Sequence, residues 1–204
     1  MLLLNLLACA GNAIVGADTD PADTDPVEEI EAPCTPVAAV LFDLGGTLLV
    51  EGNDGLFEDA YDVDNLLDAL EAAAIPVGIV TNVPATWTIE EVNALLAEPT
   101  FLDRFDVVLL SSEAESRPKP SPDIFLEALA LLAEPVAAGQ ALFVTEELPD
   151  LADAEPPTRG ARAAGLVGVH LSDATPDPLA NRTVTTADFA RMAAEPWVEC
   201  LEAE

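Results

Sequence analysis

The sequence predicts an α/β fold in three layers, with a mostly parallel sheet covered by helices on both faces. Three observations predict it. Short apolar runs recur along the chain, long enough for buried strands and too short for core helices. Helix-like stretches separate them in strict alternation, as the crossovers between parallel strands require. The first run ends in a carboxylate followed by two glycines and a hydroxyl, Asp43-Leu44-Gly45-Gly46-Thr47. Open α/β sheets gather ligands at the carboxyl ends of their strands, so this is where a reactive group belongs.

Residues 1–17 are apolar and rich in small side chains, and they read as a leader. Two processing routes fit. Leu6-Leu7-Ala8-Cys9 resembles a bacterial lipobox, with a lipid on Cys9 as the only membrane attachment. Val15-Gly16-Ala17 resembles a small-x-small cleavage site ahead of Asp18. Either route places the protein at the cell envelope or outside the cell; a wrongly assigned start would leave it cytoplasmic. The stretch falls short of the roughly 20 apolar residues that a spanning helix needs. Residues 18–36 carry a direct repeat of Ala-Asp-Thr-Asp-Pro and read as an acidic, disordered tether. Processing at Cys9 leaves Cys34 and Cys200, which suit either a disulfide joining the chain ends or two free thiols. The folded domain is then 37–204.

Within that domain the strands are Val37–Phe42, Val77–Val80, Val107–Leu110, Ala141–Val144 and Leu166–Leu171. Helical periodicity occupies Val63–Ala74, Thr88–Ala97, Pro122–Ala133 and Pro157–Ala164; in the first, Leu66, Leu67 and Leu70 share a face. A last helix is expected over Ala187–Leu201, capped by Thr186 and broken near Pro196.

Charge narrows the function. With 38 acidic residues against 7 basic ones, the formal charge is −31. Such a surface repels phosphate backbones and anionic lipid, which excludes nucleic-acid binding and a polybasic membrane patch. It suits solubility or high salt. An anionic substrate therefore needs local positive charge, and Lys119 is the only lysine in the chain.

Four motifs follow one another at strand ends. Phe42-Asp43-Leu44-Gly45-Gly46-Thr47-Leu48 is the first, and Val77-Gly78-Ile79-Val80-Thr81-Asn82 the second. Pro118-Lys119-Pro120-Ser121-Pro122-Asp123-Ile124-Phe125 is the third, and Val144-Thr145-Glu146-Glu147-Leu148-Pro149-Asp150 the fourth. In type and order they resemble the signature of the haloacid dehalogenase-like hydrolases. Arg159 to Leu166 resembles that family's approach to the last strand. The resemblance implies a Rossmann-like fold and a phosphatase acting on a small phosphorylated substrate or an exposed phosphoryl group. Asp43 would be the nucleophile and Lys119 its cationic partner, with Thr81, Asn82 and Lys119 binding phosphate. Mg²⁺ would sit on Asp43, the Gly45 backbone carbonyl, Glu146, and Asp150 or Glu147.

Two positions depart from the family pattern. Gly45 stands where the family has a second Asp, the general acid and base, so the metal's carbonyl survives and the proton carrier does not. Thr145-Glu146 replaces Gly-Asp, and a glutamate carries its carboxylate one bond further out. Leaving groups that need little protonation would suffer least, and Glu51, Glu58 or Tyr61 could stand in as proton donors. Leu48 to Pro76 is too short for the family's large helical cap. The alternative is a non-catalytic domain of this family that binds a phosphorylated ligand or a protein at the cell envelope. His170, the only histidine, reads as structural, and Asn181-Arg182-Thr183 as a chance glycosylation pattern.

Overall fold

The computed structural model describes residues 35–194 and 200–201. The leader with Cys9 and Ala17, most of the tether, and Cys34 lie outside the described residues. In chain order the first strands are Thr35–Pro36 (β1), Ala39–Phe42 (β2), Leu49–Glu51 (β3) and Phe57–Asp59 (β4). Helix Val63–Ala72 (α1) leads to Val77–Thr81 (β5), Ile89–Asn93 (α2) and Val107–Leu110 (β6). Then come Pro122–Leu131 (α3), Ala141–Thr145 (β7), Leu148–Leu151 (α4), Val167–Leu171 (β8), Arg182–Val184 (β9) and Cys200–Leu201 (β10).

The main sheet has the order β6-β5-β2-β7-β8-β9, and all its neighbours run parallel. Every residue of β2, β5 and β7 is buried, which is why these segments read as unbroken apolar runs and not as alternating ones. On one face Val40, Phe42 and Ile79 pack against Leu66 and Leu70 of α1 and against Phe189 and Met192. On the other, Leu41, Val80 and Phe143 pack against Ile124, Phe125 and Ala128 of α3 and Leu151 of α4. The chain leaves β2 toward β5 and β6, then crosses back to β7. The strand order therefore reverses between β2 and β7, where an α/β sheet opens its ligand crevice.

Local chemistry explains where helices begin. Thr88 and Glu91 form a reciprocal capping box at α2. Ser121 caps α3 and Pro122 occupies its first turn, where a missing N–H costs nothing.

Four segments differ from the expectation. A hairpin, β3 with β4, fills part of the stretch between the first motif and α1, and no large cap stands there among the described residues. The expected helix over Pro157–Ala164 is reduced to a 3₁₀ turn, Arg162–Ala164. Gly160 ahead of it has φ +85°, and Gly165 closes it at φ +88°. The expected last helix is also a 3₁₀ segment, Thr186–Ala194. Thr185, one residue before the expected cap, accepts the Asp188 N–H at 3.2 Å and donates to its carboxylate at 2.9 Å. Residues 200–201, assigned to that helix from the sequence, instead form β10 and pair antiparallel with β1, so the final residues of the expected tether join the domain. β9 was not foreseen; its short polar-apolar sequence, Arg182-Thr183-Val184, lacks an apolar run.

Phe189 is fully buried and meets Phe42 and Tyr61 edge-on. Phe189→Ala should lower the unfolding free energy by about 3–5 kcal/mol, read as a reduced urea midpoint with an unchanged slope.

Candidate active site

Four loops at the carboxyl edge of the sheet converge on one cleft, lined by Asp43, Gly45, Thr81, Asn82, Lys119, Glu147, Pro149 and Asp150. Asp43 directly follows β2, Thr81 ends β5, and Glu146 directly follows β7. Of the residues expected at the site from the sequence, all but Glu146 line this cleft.

At its centre is an ion triad. Lys119 Nζ lies 2.7 Å from Asp43 Oδ2 and 2.7 Å from Asp150 Oδ2. The lysine side chain is 1% exposed. Burying an ammonium this deeply is tolerable only because two carboxylates meet it. Its underside rests 5.3 Å from the centre of the Phe143 ring, within cation–π range. Asp43 Oδ1 accepts the Leu44 N–H at 2.8 Å, so both of its oxygens are oriented.

The lysine loop is anchored from β5. Asn82 Oδ1 accepts the Lys119 N–H at 3.1 Å, and Asn82 Nδ2 donates to the Lys119 carbonyl at 3.0 Å. Both ends of the carboxamide are thus occupied in positioning Lys119. From the fourth motif, Asp150 faces the ammonium. Its loop is held by the Ala161 N–H on the Asp150 carbonyl at 2.9 Å and the Gly160 N–H on the Pro120 carbonyl at 2.7 Å.

Glu146 is placed by two residues not assigned to the site from the sequence. The Thr47 hydroxyl donates to Glu146 Oε2 and accepts the Glu146 N–H at 3.2 Å. His170 Nε2 sits 3.1 Å from the Glu146 carbonyl, across the β7–β8 pair. Thr47 was visible in the first motif as a hydroxyl; that it spans to the fourth motif needs the fold.

The two adjacent glycines differ. Gly46 has φ +78°, and a Cβ there would overlap Glu146 Oε1, so a side chain is barred twice over. A Cβ on Gly45 would meet nothing within 4 Å.

Burial pushes the Glu146 carboxyl above the usual range; Thr47 pulls it back, and the charge of Asp43 adds to the rise. Burial likewise raises Asp150, with Lys119 opposing it. Among the described residues no three Asp, Glu, His or Cys side chains gather as a metal cage. Asp43, Glu146 and the Gly45 carbonyl are nonetheless all hard oxygen donors. One or two carboxylates suffice for Mg²⁺, which keeps several waters and shares a substrate phosphate. The donor chemistry fits.

A buried lysine clamped between aspartates thus stands at the switch point of an open parallel sheet, where such folds place their ligand sites. Residues 50–156 match the family model for haloacid dehalogenase-like hydrolases, and the chain belongs to that family. Solved structures share the fold. A haloacid dehalogenase-superfamily hydrolase from Ehrlichia chaffeensis is 15% identical, with a TM-score of 0.60 over 79% of this chain and 98% of that one. A phosphatase of the superfamily from Thermococcus onnurineus is 20% identical, with a TM-score of 0.56 over 76% and 96%. A predicted phosphoglycolate phosphatase from Haemophilus somnus is 17% identical, with a TM-score of 0.54 over 78% and 98%. No curated protein matches the chain significantly.

The raised carboxyls carry a pH signature. Their ionised forms are disfavoured in the folded chain, so the cost is full above the raised folded values and is relieved as pH falls toward the ordinary carboxylate range. Without divalent ions, the urea midpoint should rise on mild acidification from neutrality, and Glu146→Gln should flatten part of that rise. Lys119→Met leaves Asp43 and Asp150 facing each other and should cost about 3–5 kcal/mol in the same assay.

Proposed function

We propose that this protein is a Mg²⁺-assisted phosphatase that hydrolyses a phosphomonoester or acyl phosphate through an aspartyl-phosphate on Asp43. The observation that carries this reading is the buried Lys119 ammonium, 2.7 Å from Asp43. An exposed lysine would serve solubility. One desolvated beside an oriented carboxylate serves an anion.

A carboxylate oxygen of Asp43 attacks phosphorus, and the bond to the leaving oxygen breaks with its electron pair going to that oxygen. Lys119 offsets the charge gathering on the phosphoryl oxygens, and Thr81 offers a hydroxyl to them. Asp150 keeps the ammonium in place. Mg²⁺ held by Asp43, Glu146 and the Gly45 carbonyl would neutralise the repulsion between a phosphate and these carboxylates. Water then attacks the phosphorus of the aspartyl-phosphate, releasing inorganic phosphate and restoring Asp43. Because residue 45 carries no carboxyl, the proton in each step is exchanged with solvent. Loss of such a group typically removes a factor of about 10²–10⁴. The second step has no compensation and becomes slow.

The test is hydrolysis of acetyl phosphate and phenyl phosphate by the full chain, with and without Mg²⁺. Turnover should require the metal and vanish in Asp43→Asn. The leaving group should appear as a burst of one equivalent per enzyme, followed by a slower steady state. A Cβ at position 45 meets nothing within 4 Å, and Gly45→Asp should raise the steady-state rate on acetyl phosphate by about 10²–10⁴-fold. No Asp43-dependent turnover in either protein would overturn this reading. It would favour a non-catalytic domain that binds a phosphorylated ligand or a protein partner at the cell envelope.

A further inference from the structure

Beside the polar cleft lies a second cavity of about 160 Å³, which shares Gly45, Thr81 and Asn82 with it. Its walls are Leu44, Leu49, Phe57, Trp87, Val92 and Leu96 among others, and no ionisable side chain lines it. In a chain with 38 acidic residues that is a selective exclusion. The walls are joined by backbone bonds. The Phe57 N–H donates to the Leu95 carbonyl at 2.8 Å, and the Ala97 N–H to the Phe57 carbonyl at 2.8 Å. The β3–β4 hairpin and the stretch after β5 are thereby locked into one preformed cavity.

We infer that this cavity receives the leaving group of the substrate, and that the leaving group is a single aromatic ring, so that the substrate is an aryl phosphate. The inference rests on the phosphatase reading of the same site. Size, polarity and chemistry agree. An apolar cavity of roughly 150 Å³ holds a benzene-sized ring. Gly45, Thr81 and Asn82 line both the polar cleft and this cavity, so a phosphate held in the cleft has the cavity directly beside it. A carboxylate at position 45 would stand at the cavity's mouth, where its desolvation would oppose an apolar ring. Glycine removes that obstacle. The reaction can do without the acid because the electron pair of the breaking P–O bond is accepted by a phenolate, which leaves without prior protonation and takes its proton from water afterwards.

The experiment compares acetyl phosphate, whose acetate leaves more readily than phenolate but is too small to fill the cavity, with phenyl phosphate. The comparison uses the full chain, Leu95→Trp, which fills the cavity from a half-buried wall position, and Trp87→Ala, which opens it. The expected result is a kcat/KM for phenyl phosphate at least about tenfold above that for acetyl phosphate. Each variant should erase that preference through KM while holding acetyl phosphate turnover within about twofold. Asp43-dependent turnover of acetyl phosphate with no preference for phenyl phosphate would overturn the aryl assignment and leave the phosphatase standing. A preference that survives both variants would overturn the cavity as its source. No turnover of either substrate would overturn both.

Discussion

The placement of one ammonium organises the catalytic edge of this protein. Lys119 can be buried only where carboxylates meet it, and those carboxylates come from β2 and from α4. Its backbone is clasped by a side chain from β5, and its underside rests on a ring from β7. Four separate segments are thus required to be in register before the charge is compensated. A triad of this kind contributes little net stability over an apolar core. Its value lies in specificity, because any arrangement that strands one member carries an uncompensated buried charge. The remaining anchors, Thr47 and His170 on Glu146, extend the same rule to the fourth motif.

Around that fixed charge the chain divides its chemistry into what is kept and what is given up. Of the family pattern, the first aspartate, the lysine and the hard-oxygen donors are kept. The proton carrier is gone, and the neighbouring glycine shows that this is not general relaxation of the loop. Gly46 is bound by backbone geometry and by the Glu146 carboxylate, whereas Gly45 is bound by neither. A position where a Cβ would meet nothing, yet which carries none, is best understood through what lies beyond it, and beyond it is an apolar cavity.

Much of this was legible in the sequence because parallel strands buried on both faces leave continuous apolar runs. The five strands read from those runs all exist, with shifts of up to two residues at their ends. The segments that were missed lack such a signal. The β3–β4 hairpin is short and half exposed, β9 has no apolar run, and the 3₁₀ segments take the place of expected helices. The site was legible as a list of residues in the right order, since three of the motifs end a strand and the third in order opens α3. Their division of labour was not. That Asn82 holds Lys119 through both ends of its carboxamide depends on the distance between two loops 37 residues apart. The cavity was invisible for the same reason: its walls come from three segments, none distinctive alone.

The backbone bonds between Phe57 and the Leu95–Ala97 stretch have one more consequence. They pin the hairpin beside the cleft, and Gly45 and Asn82 remain exposed at its mouth. Transfer of a phosphoryl group to a second organic acceptor requires a closing element to keep solvent away from the intermediate. Here the walls do not need to move for a ligand to enter, and while Asp43 itself is buried, Gly45 and Asn82 keep one side of the cleft open to solvent. On the phosphatase reading, a cleft that is open on one side and fixed on the other admits water beside the substrate without any motion, which suits hydrolysis.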